Sequence, residues 1–186
     1  MTELEKMING DLYDPTDEEL KKLRLNAHHI CAEYNKLFED SDEIVRYELL
    51  EELLPNADED IFIQGPFYCD YGFNIYVGKN FYANFNLTIL DVCPVKIGEN
   101  VMFGPNVSIM TPVHPMEFKL RNQIKEYAKP IIIGDNCWLA ANVTVIGGVK
   151  IGSGCVIGAG SVVTRDIPNN YFAAGNPCKL IREIKN

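Results

Sequence analysis

Ile133 to Pro168 reads IGDNCW, LAANVT, VIGGVK, IGSGCV, IGAGSV, VTRDIP when cut into sixes. The first position is Ile133, Leu139, Val145, Ile151, Ile157 and Val163. The fourth is Asn136, Asn142, Gly148, Gly154, Gly160 and Asp166. Those residue types tolerate a left-handed backbone: glycine lacks a Cβ, and a short polar side chain bonds locally. A period of six fits neither an α-helix nor one long strand. It predicts a mainly β fold, a parallel β-helix in which each hexad supplies a short strand and a corner.

Upstream the same period begins near Gly65, loosely at first. GPFYCD, YGFNIY, VGKNFY, ANFNLT and ILDVCP fill 65–94, with Asn74, Asn80 and Asn86 in fourth position before Val92 breaks the pattern. Val95-Lys96 intervene as an insertion, IGENVM and FGPNVS restore the frame with Asn100 and Asn106, and IMTPVH breaks it again at Pro112. Residues 115–130 (PMEFKLRNQIKEYAKP) have no period and read as a long loop leaving the solenoid, where function commonly resides. Allowing for the insertion, ILDVCP stacks beside IMTPVH, which sets Pro94 next to His114 and brings Asp91 close. Both lapses of the repeat then fall at one place.

Residues 1–58 read as a helical segment, 59–168 as the β-helix with its loop 115–130, and 169–186 as a tail. Asp14 to Glu19 is a helix start, followed by apolar residues at helical spacing from Leu20 through Leu23, Ala27, Ile30, Tyr34 and Leu37 to Phe38. Ser41-Asp42-Glu43 caps a second helix stopped by Pro55. His28 and His29, adjacent on the first helix, face different sides and form no metal-ligand pattern.

The net charge of −9 is uneven, −12 over residues 1–60 and +3 over 61–186. No basic stripe of the kind that binds nucleic acid is present, while the repeat region leaves room for a small anionic ligand. No apolar run approaches the roughly 18 residues of a membrane span, and MTELEKMING has no signal-peptide pattern, so a cytoplasmic protein is expected. The six cysteines form no C-x-x-C pair, which disfavours zinc and dithiol chemistry. Cys137 and Cys155, three hexads apart, should stack inward as thiols.

His114 is the one histidine of the repeat region, and it opens the loop from Thr111-Pro112-Val113-His114-Pro115. Neutral imidazole is the usual general base near pH 7, worth roughly 10²–10⁴ in rate. The alternative is a loop histidine bracketed by prolines for shape. A zinc hydrase of the same architecture needs several histidines around the metal, and His28 and His29 lie elsewhere. A non-catalytic scaffold would leave the basic residues beyond the repeat unexplained.

ANFNLTILDVCPVKIG (83–98), VHP (113–115), IGDNCWLA (133–140), IGAGSVVTRDIP (157–168) and AAGNPCKLIREI (173–184) resemble the maltose/galactoside O-acetyltransferase family, as does the opening MINGDLYDPTDEEL. The resemblance covers essentially the whole chain, in order. It implies a left-handed parallel β-helix, a homotrimer with sites between subunits, and acetyl transfer from acetyl-CoA to a sugar hydroxyl without a metal. It implies His114 as the base of a direct transfer, so that Cys93 packs inward and is not a nucleophile. Asp70, Tyr82 and Asn84 correspond to acceptor-binding positions, with Asp91 beside them. Trp138, Ala141, Ala159, Thr164, Arg165, Lys179 and Arg182 correspond to donor-binding positions, the small alanines along a pantetheine arm and the cations near phosphates. Galactoside-type members carry a second acid where Val92 stands and a small hydroxyl where Asp70 stands, so the run is closer to the maltose type. Asp17 and Arg24 are further candidates for reaching the acceptor. Acetyl transfer to a galactoside, an amino sugar, an antibiotic or an amino acid is the alternative.

Overall fold

The computed structural model describes residues 1–37 and 42–185, so Phe38 and Ser41 lie outside the described residues. Three helices come first: α1 (Glu3–Asn9), α2 (Glu18–Tyr34) and α3 (Glu43–Leu53). The side chain of Asp17 caps α2 by accepting the N–H groups of Glu19 and Leu20, and that of Asp42 caps α3 through the N–H of Ile44. The helical spacing is realised on α2, which buries Leu20, Ala27, Ile30, Cys31 and Tyr34.

The chain then winds into coils of three short strands. The first is β1 (Asn56–Ala57), β2 (Ile61–Ile63) and β3 (Phe67–Cys69); the second is β4 (Ile75–Val77), β5 (Phe81–Ala83) and β6 (Leu87–Leu90). The third is β7 (Val95–Ile97), β8 (Met102–Phe103) and β9 (Ser108–Met110). An excursion follows, made of β10 (Pro112–Val113), a short helix α4 (Phe118–Arg121) and β11 (Tyr127–Ala128), with β10 antiparallel to β11. Residues 115–130 are thus a hairpin carrying one helical turn. The fourth coil is β12 (Ile131–Ile133), β13 (Trp138–Leu139) and β14 (Thr144–Ile146), and the fifth is β15 (Lys150–Ile151), β16 (Val156–Ile157) and β17 (Val162–Val163).

Strands of successive coils pair in parallel and build three sheets, the sides of a prism. The class is the parallel β-helix expected from the repeat. Two boundaries differ. The first rung, β1, falls ahead of residue 58 and pairs with β4. The tail is also continuous with the solenoid: Ile167 bridges to Ile151, β18 (Tyr171–Ala174) pairs in parallel with β16, and β19 (Lys179–Glu183) turns back antiparallel on β18.

Inward-facing positions one and five of the hexads form a continuous apolar core that includes Ile133, Leu139, Val145, Ile151, Ile157 and Val163, with Cys137 and Cys155 on adjacent coils. Helices α2 and α3 close the first coil, adding Ala27, Ile30, Tyr34, Leu50 and Leu53 to the same core. Coils approach so closely that a Cβ on Gly134 would stand 2.6 Å from the Ser153 nitrogen. That contact explains the recurring Ile-Gly pair. The fourth-position residues Asn80, Asn86, Asn100, Asn106, Asn136 and Asn142 all have positive φ, and Asn86, Asn106 and Asn142 hydrogen-bond in a ladder down one edge.

Asn74 and Asp166 share the hexad position but not the backbone; here the structure departs from the repeat. Gly72 takes the left-handed turn instead (φ +80), and Asn74 is buried against Asp91. Asp91 is the centre of this corner. It has 0% exposure, and its carboxylate accepts the N–H groups of Asp70, Tyr71 and Asn74. Expected among the acceptor groups, Asp91 is instead a scaffold carboxylate, unable to touch a ligand because backbone encloses it.

Two outcomes are expected. Gly134→Ala forces a coil apart and should cost about 1–3 kcal/mol, read as a lower denaturation midpoint; an unchanged midpoint would refute the close-stacking account. Burial pushes the Asp91 carboxyl up to about 7, against the pull of its N–H donors, with the Asp70 charge adding to the rise. A raised native value means that the folded chain holds a proton which the unfolded chain releases near 3.8. The associated stability is full below the unfolded value and is lost as pH rises through the folded one. Asp91→Asn should therefore flatten the fall in unfolding free energy over that interval, and parallel pH profiles for wild type and variant would contradict the assignment.

Candidate active site

The corner between the third sheet and the first is where the solenoid is least regular, and a second apolar cluster forms there. Met7 and Tyr13 from the start of the chain pack with Leu20, Tyr71, Val92, Cys93 and Ala128. The N-terminal segment thus clamps the corner loops and the root of the excursion into one body. Cys93 belongs to this cluster; its thiol donates to the Ile8 carbonyl, and burial pushes it up to about 11. A thiol so placed stays protonated near neutrality, which agrees with inward packing.

His114 emerges from this corner with its side chain 59% exposed, and its Nε2 lies 3.6 Å from Glu126 Oε2. That separation suits the attraction of an imidazolium by a carboxylate and is longer than a hydrogen bond. The other Glu126 oxygen accepts the hydroxyl of Tyr13, and the two residues also exchange backbone hydrogen bonds as an isolated antiparallel bridge. Next to them Lys125 Nζ binds Asp14 Oδ2 at 3.0 Å; the Thr16 hydroxyl and N–H, with Lys125 after them, hold the Asp14 carboxyl down at about 2. Ile124 turns the chain toward these partners at φ +63, a left-handed conformation that a β-branched residue adopts at a cost of about 1–3 kcal/mol.

Asp70 stands nearby on the loop that Asp91 organises. Burial pushes its carboxyl up to about 6, Arg24 pulls it down, and the Glu126 charge adds to the rise. Arg24 itself donates to the Tyr71 hydroxyl and the Pro15 carbonyl. Glu126 therefore neighbours both His114 and Asp70, and Asp70 neighbours Arg24, so the four polar groups gather at one corner. Asp17 spends one carboxylate oxygen on its helix cap.

The register expected across the lapse holds as far as Ile89 with Ile109 and Leu90 with Met110. Beyond it the excursion intervenes, and the ladder resumes with the Ile131 N–H on the Pro94 carbonyl.

The other expected residues lie elsewhere. Tyr82 is on β5 in the second sheet, stacked on Phe62 at 5.8 Å, and its hydroxyl accepts from Asn84 at 3.3 Å. Asn84 begins the edge between the second and third sheets, and Ala141 and Ala159 lie on that edge one coil apart, joined by the Gly160 N–H on the Ala141 carbonyl. A Cβ at Gly160 would meet nothing within 4 Å, so the edge there is open and smooth. Trp138 points outward from β13, and Lys179 and Arg182 are exposed on β19 at the far end of the same sheet, Arg182 over the Phe172 ring. Thr164 and Arg165 follow β17 on the His114 edge. Within one chain the candidate residues thus form two groups on different edges.

Glu126 and Tyr13 were not singled out in the sequence. Glu126 is one of two acids in an aperiodic loop, and its partner is 113 residues away. The proximity is tertiary, and no local pattern announces it.

The second sheet has one more property. In register from coil to coil, its outward residues are Phe62, Tyr82, Met102, Trp138, Val156 and Phe172. The outward column of the third sheet is Tyr68, Thr88, Ser108, Thr144 and Val162, mostly hydroxylated. One side of the prism is therefore an apolar stripe running its whole length.

Comparison with known proteins bears on this arrangement. Residues 6–58 match the family model described as the maltose acetyltransferase hexapeptide capping motif, 94–114 the hexapeptide repeat of succinyl-transferase, and 130–165 the bacterial transferase hexapeptide. A galactoside O-acetyltransferase of Escherichia coli is 42% identical over 98% of this chain and 89% of its own length. The crystal structure of a maltose O-acetyltransferase from Clostridium difficile superposes with a TM-score of 0.95 at 44% identity, covering 100% of this chain and 99% of that one. A hexapeptide-repeat acetyltransferase from Vibrio cholerae, complexed with acetyl coenzyme A, does so at 0.91 and 34% identity, each chain covered in full at 100%. This chain belongs to the maltose/galactoside O-acetyltransferase family of hexapeptide-repeat acyltransferases.

Proposed function

We propose that the protein transfers the acetyl group of acetyl-CoA to a sugar hydroxyl, on a maltose- or glucose-like acceptor, with His114 as general base. The observation that carries this reading is the pairing of an exposed imidazole with Glu126 at a corner where Asp70 and Arg24 also gather. Nε2 of His114 takes the proton as the acceptor oxygen attacks the thioester carbonyl. The C–O bond forms, the C–S bond breaks, and the imidazolium returns its proton to the CoA thiolate. Glu126 steadies the imidazolium between those events, as a carboxylate near a charged ring does. Asp70, with Tyr82 and Asn84, supplies the directional acceptors and donors that sugar hydroxyls require.

The donor lies along the open edge of Ala141 and Ala159, its phosphates near Lys179, Arg182 and Arg165, with Thr164 beside them and Trp138 flanking the arm. Because Ala141, Ala159, Lys179, Arg182 and Tyr82–Asn84 lie away from the edge that carries His114, Thr164 and Arg165, one chain does not complete a site. Assembly through the apolar stripe of the second sheet brings one edge to the other edge of a neighbour, and a homotrimer closes three such sites. We place the reaction in the cytoplasm, where acetyl-CoA is made. No described helix is long and apolar enough to cross a membrane.

The reaction is tested by following CoA release with maltose, glucose, a galactoside and glucosamine as acceptors. His114→Ala should lower kcat by about 10²-fold or more while acetyl-CoA affinity persists; near-normal turnover would remove His114 as base. Met102→Glu, in the middle of the stripe, should convert a trimer to monomers in sedimentation and abolish transfer. A wild-type monomer at micromolar concentration would overturn the assembly.

A further inference from the structure

We propose that Tyr13 is a positioning residue for the reaction, acting on His114 through Glu126; this rests on the reading of His114 as base. Tyr13 is 1% exposed, in the second apolar cluster, yet carries a hydroxyl whose partner is the Glu126 carboxylate. A buried phenol needs a partner. Here the partner is the one carboxylate that faces His114 Nε2. With Oε1 bound to Tyr13, the remaining oxygen, Oε2, is the one turned to the imidazole.

The backbone supports the same arrangement. Tyr13 N–H donates to the Glu126 carbonyl at 3.0 Å and Glu126 N–H to the Tyr13 carbonyl at 3.3 Å. Lys125 is tied to Asp14 at the adjacent pair, so Lys125-Glu126 is joined to Tyr13-Asp14 by four bonds, one of them to the Glu126 carboxylate. Among the described residues, Glu126 is the ion-pair partner of this exposed imidazole. The N-terminal segment therefore does more than cover the first coil: through Tyr13 it sets the geometry of a base 101 positions further along the chain.

The test is a double-mutant cycle with an independent spectroscopic arm. Tyr13→Phe keeps the ring in the core and removes only the hydroxyl; Glu126→Met keeps the length of the side chain and removes its acceptors. Tyr13→Phe should lower kcat about tenfold with KM for acetyl-CoA unchanged, and should have less than about a twofold effect on the Glu126→Met background, because coupled residues are not additive. Equal losses on both backgrounds, or wild-type kcat, would overturn the proposal, the first marking a merely structural tyrosine. The second arm records long-range proton–nitrogen spectra of the three imidazoles, His28, His29 and His114, in the free enzyme. The His114 Nε2 resonance should move in Tyr13→Phe in the direction it moves in Glu126→Met, while those of His28 and His29 stay in place. An unmoved His114 resonance rejects the positioning role. If His114→Ala keeps its activity, the base assignment falls, and the spectra still judge the contact.

Discussion

Coils of this solenoid stack at backbone distance, and every other feature is accommodated to that spacing. A parallel ladder leaves no room for a Cβ where Gly134 lies over Ser153 or Gly104 over Ala141, so glycine recurs there by exclusion. The same spacing asks each corner for a tight turn, which Asn and Gly provide at positive φ. A chain under such a constraint cannot bulge inward. Extra residues leave at an edge, and the excursion leaves at the edge where the repeat has already lapsed twice.

That edge is held from behind and from outside. From behind, Asp91 replaces a regular corner with a carboxylate that gathers three backbone N–H groups, trading charge solvation for a fixed loop. From outside, the N-terminal segment contributes Met7 and Tyr13 to a small core with the corner and the hairpin. A mobile loop would be a poor mount for the proposed base, since reacting atoms must be held to within a fraction of an ångström. The clamp turns an excursion into part of a rigid body and leaves the imidazole itself open to solvent.

Much of this was legible in the residue order. The period of six, the N-terminal helical segment, and the coincidence of the lapses at Val92 and Pro112 all follow from local spacing. His114 stands out because it opens an aperiodic stretch. Asp91 was misread for a physical reason: a carboxylate next to a lapse looks like a ligand group until burial is known, and burial depends on neighbours 17 to 21 residues away. Glu126 and Tyr13 carry no local signal at all, because their bond joins the first turn of the chain to the end of the hairpin.

By itself the sequence determined the solenoid, since a repeating pattern acts at every coil and needs only nearest neighbours to be satisfied. Coil-to-coil register then aligned the outward residues of the second sheet into an apolar column. The tertiary structure alone decided which carboxylate supports the imidazole and which is entombed in the scaffold. Both are acids near a break in a repeat; hydrogen-bond partners distant in the chain, and the low dielectric around them, separate their roles.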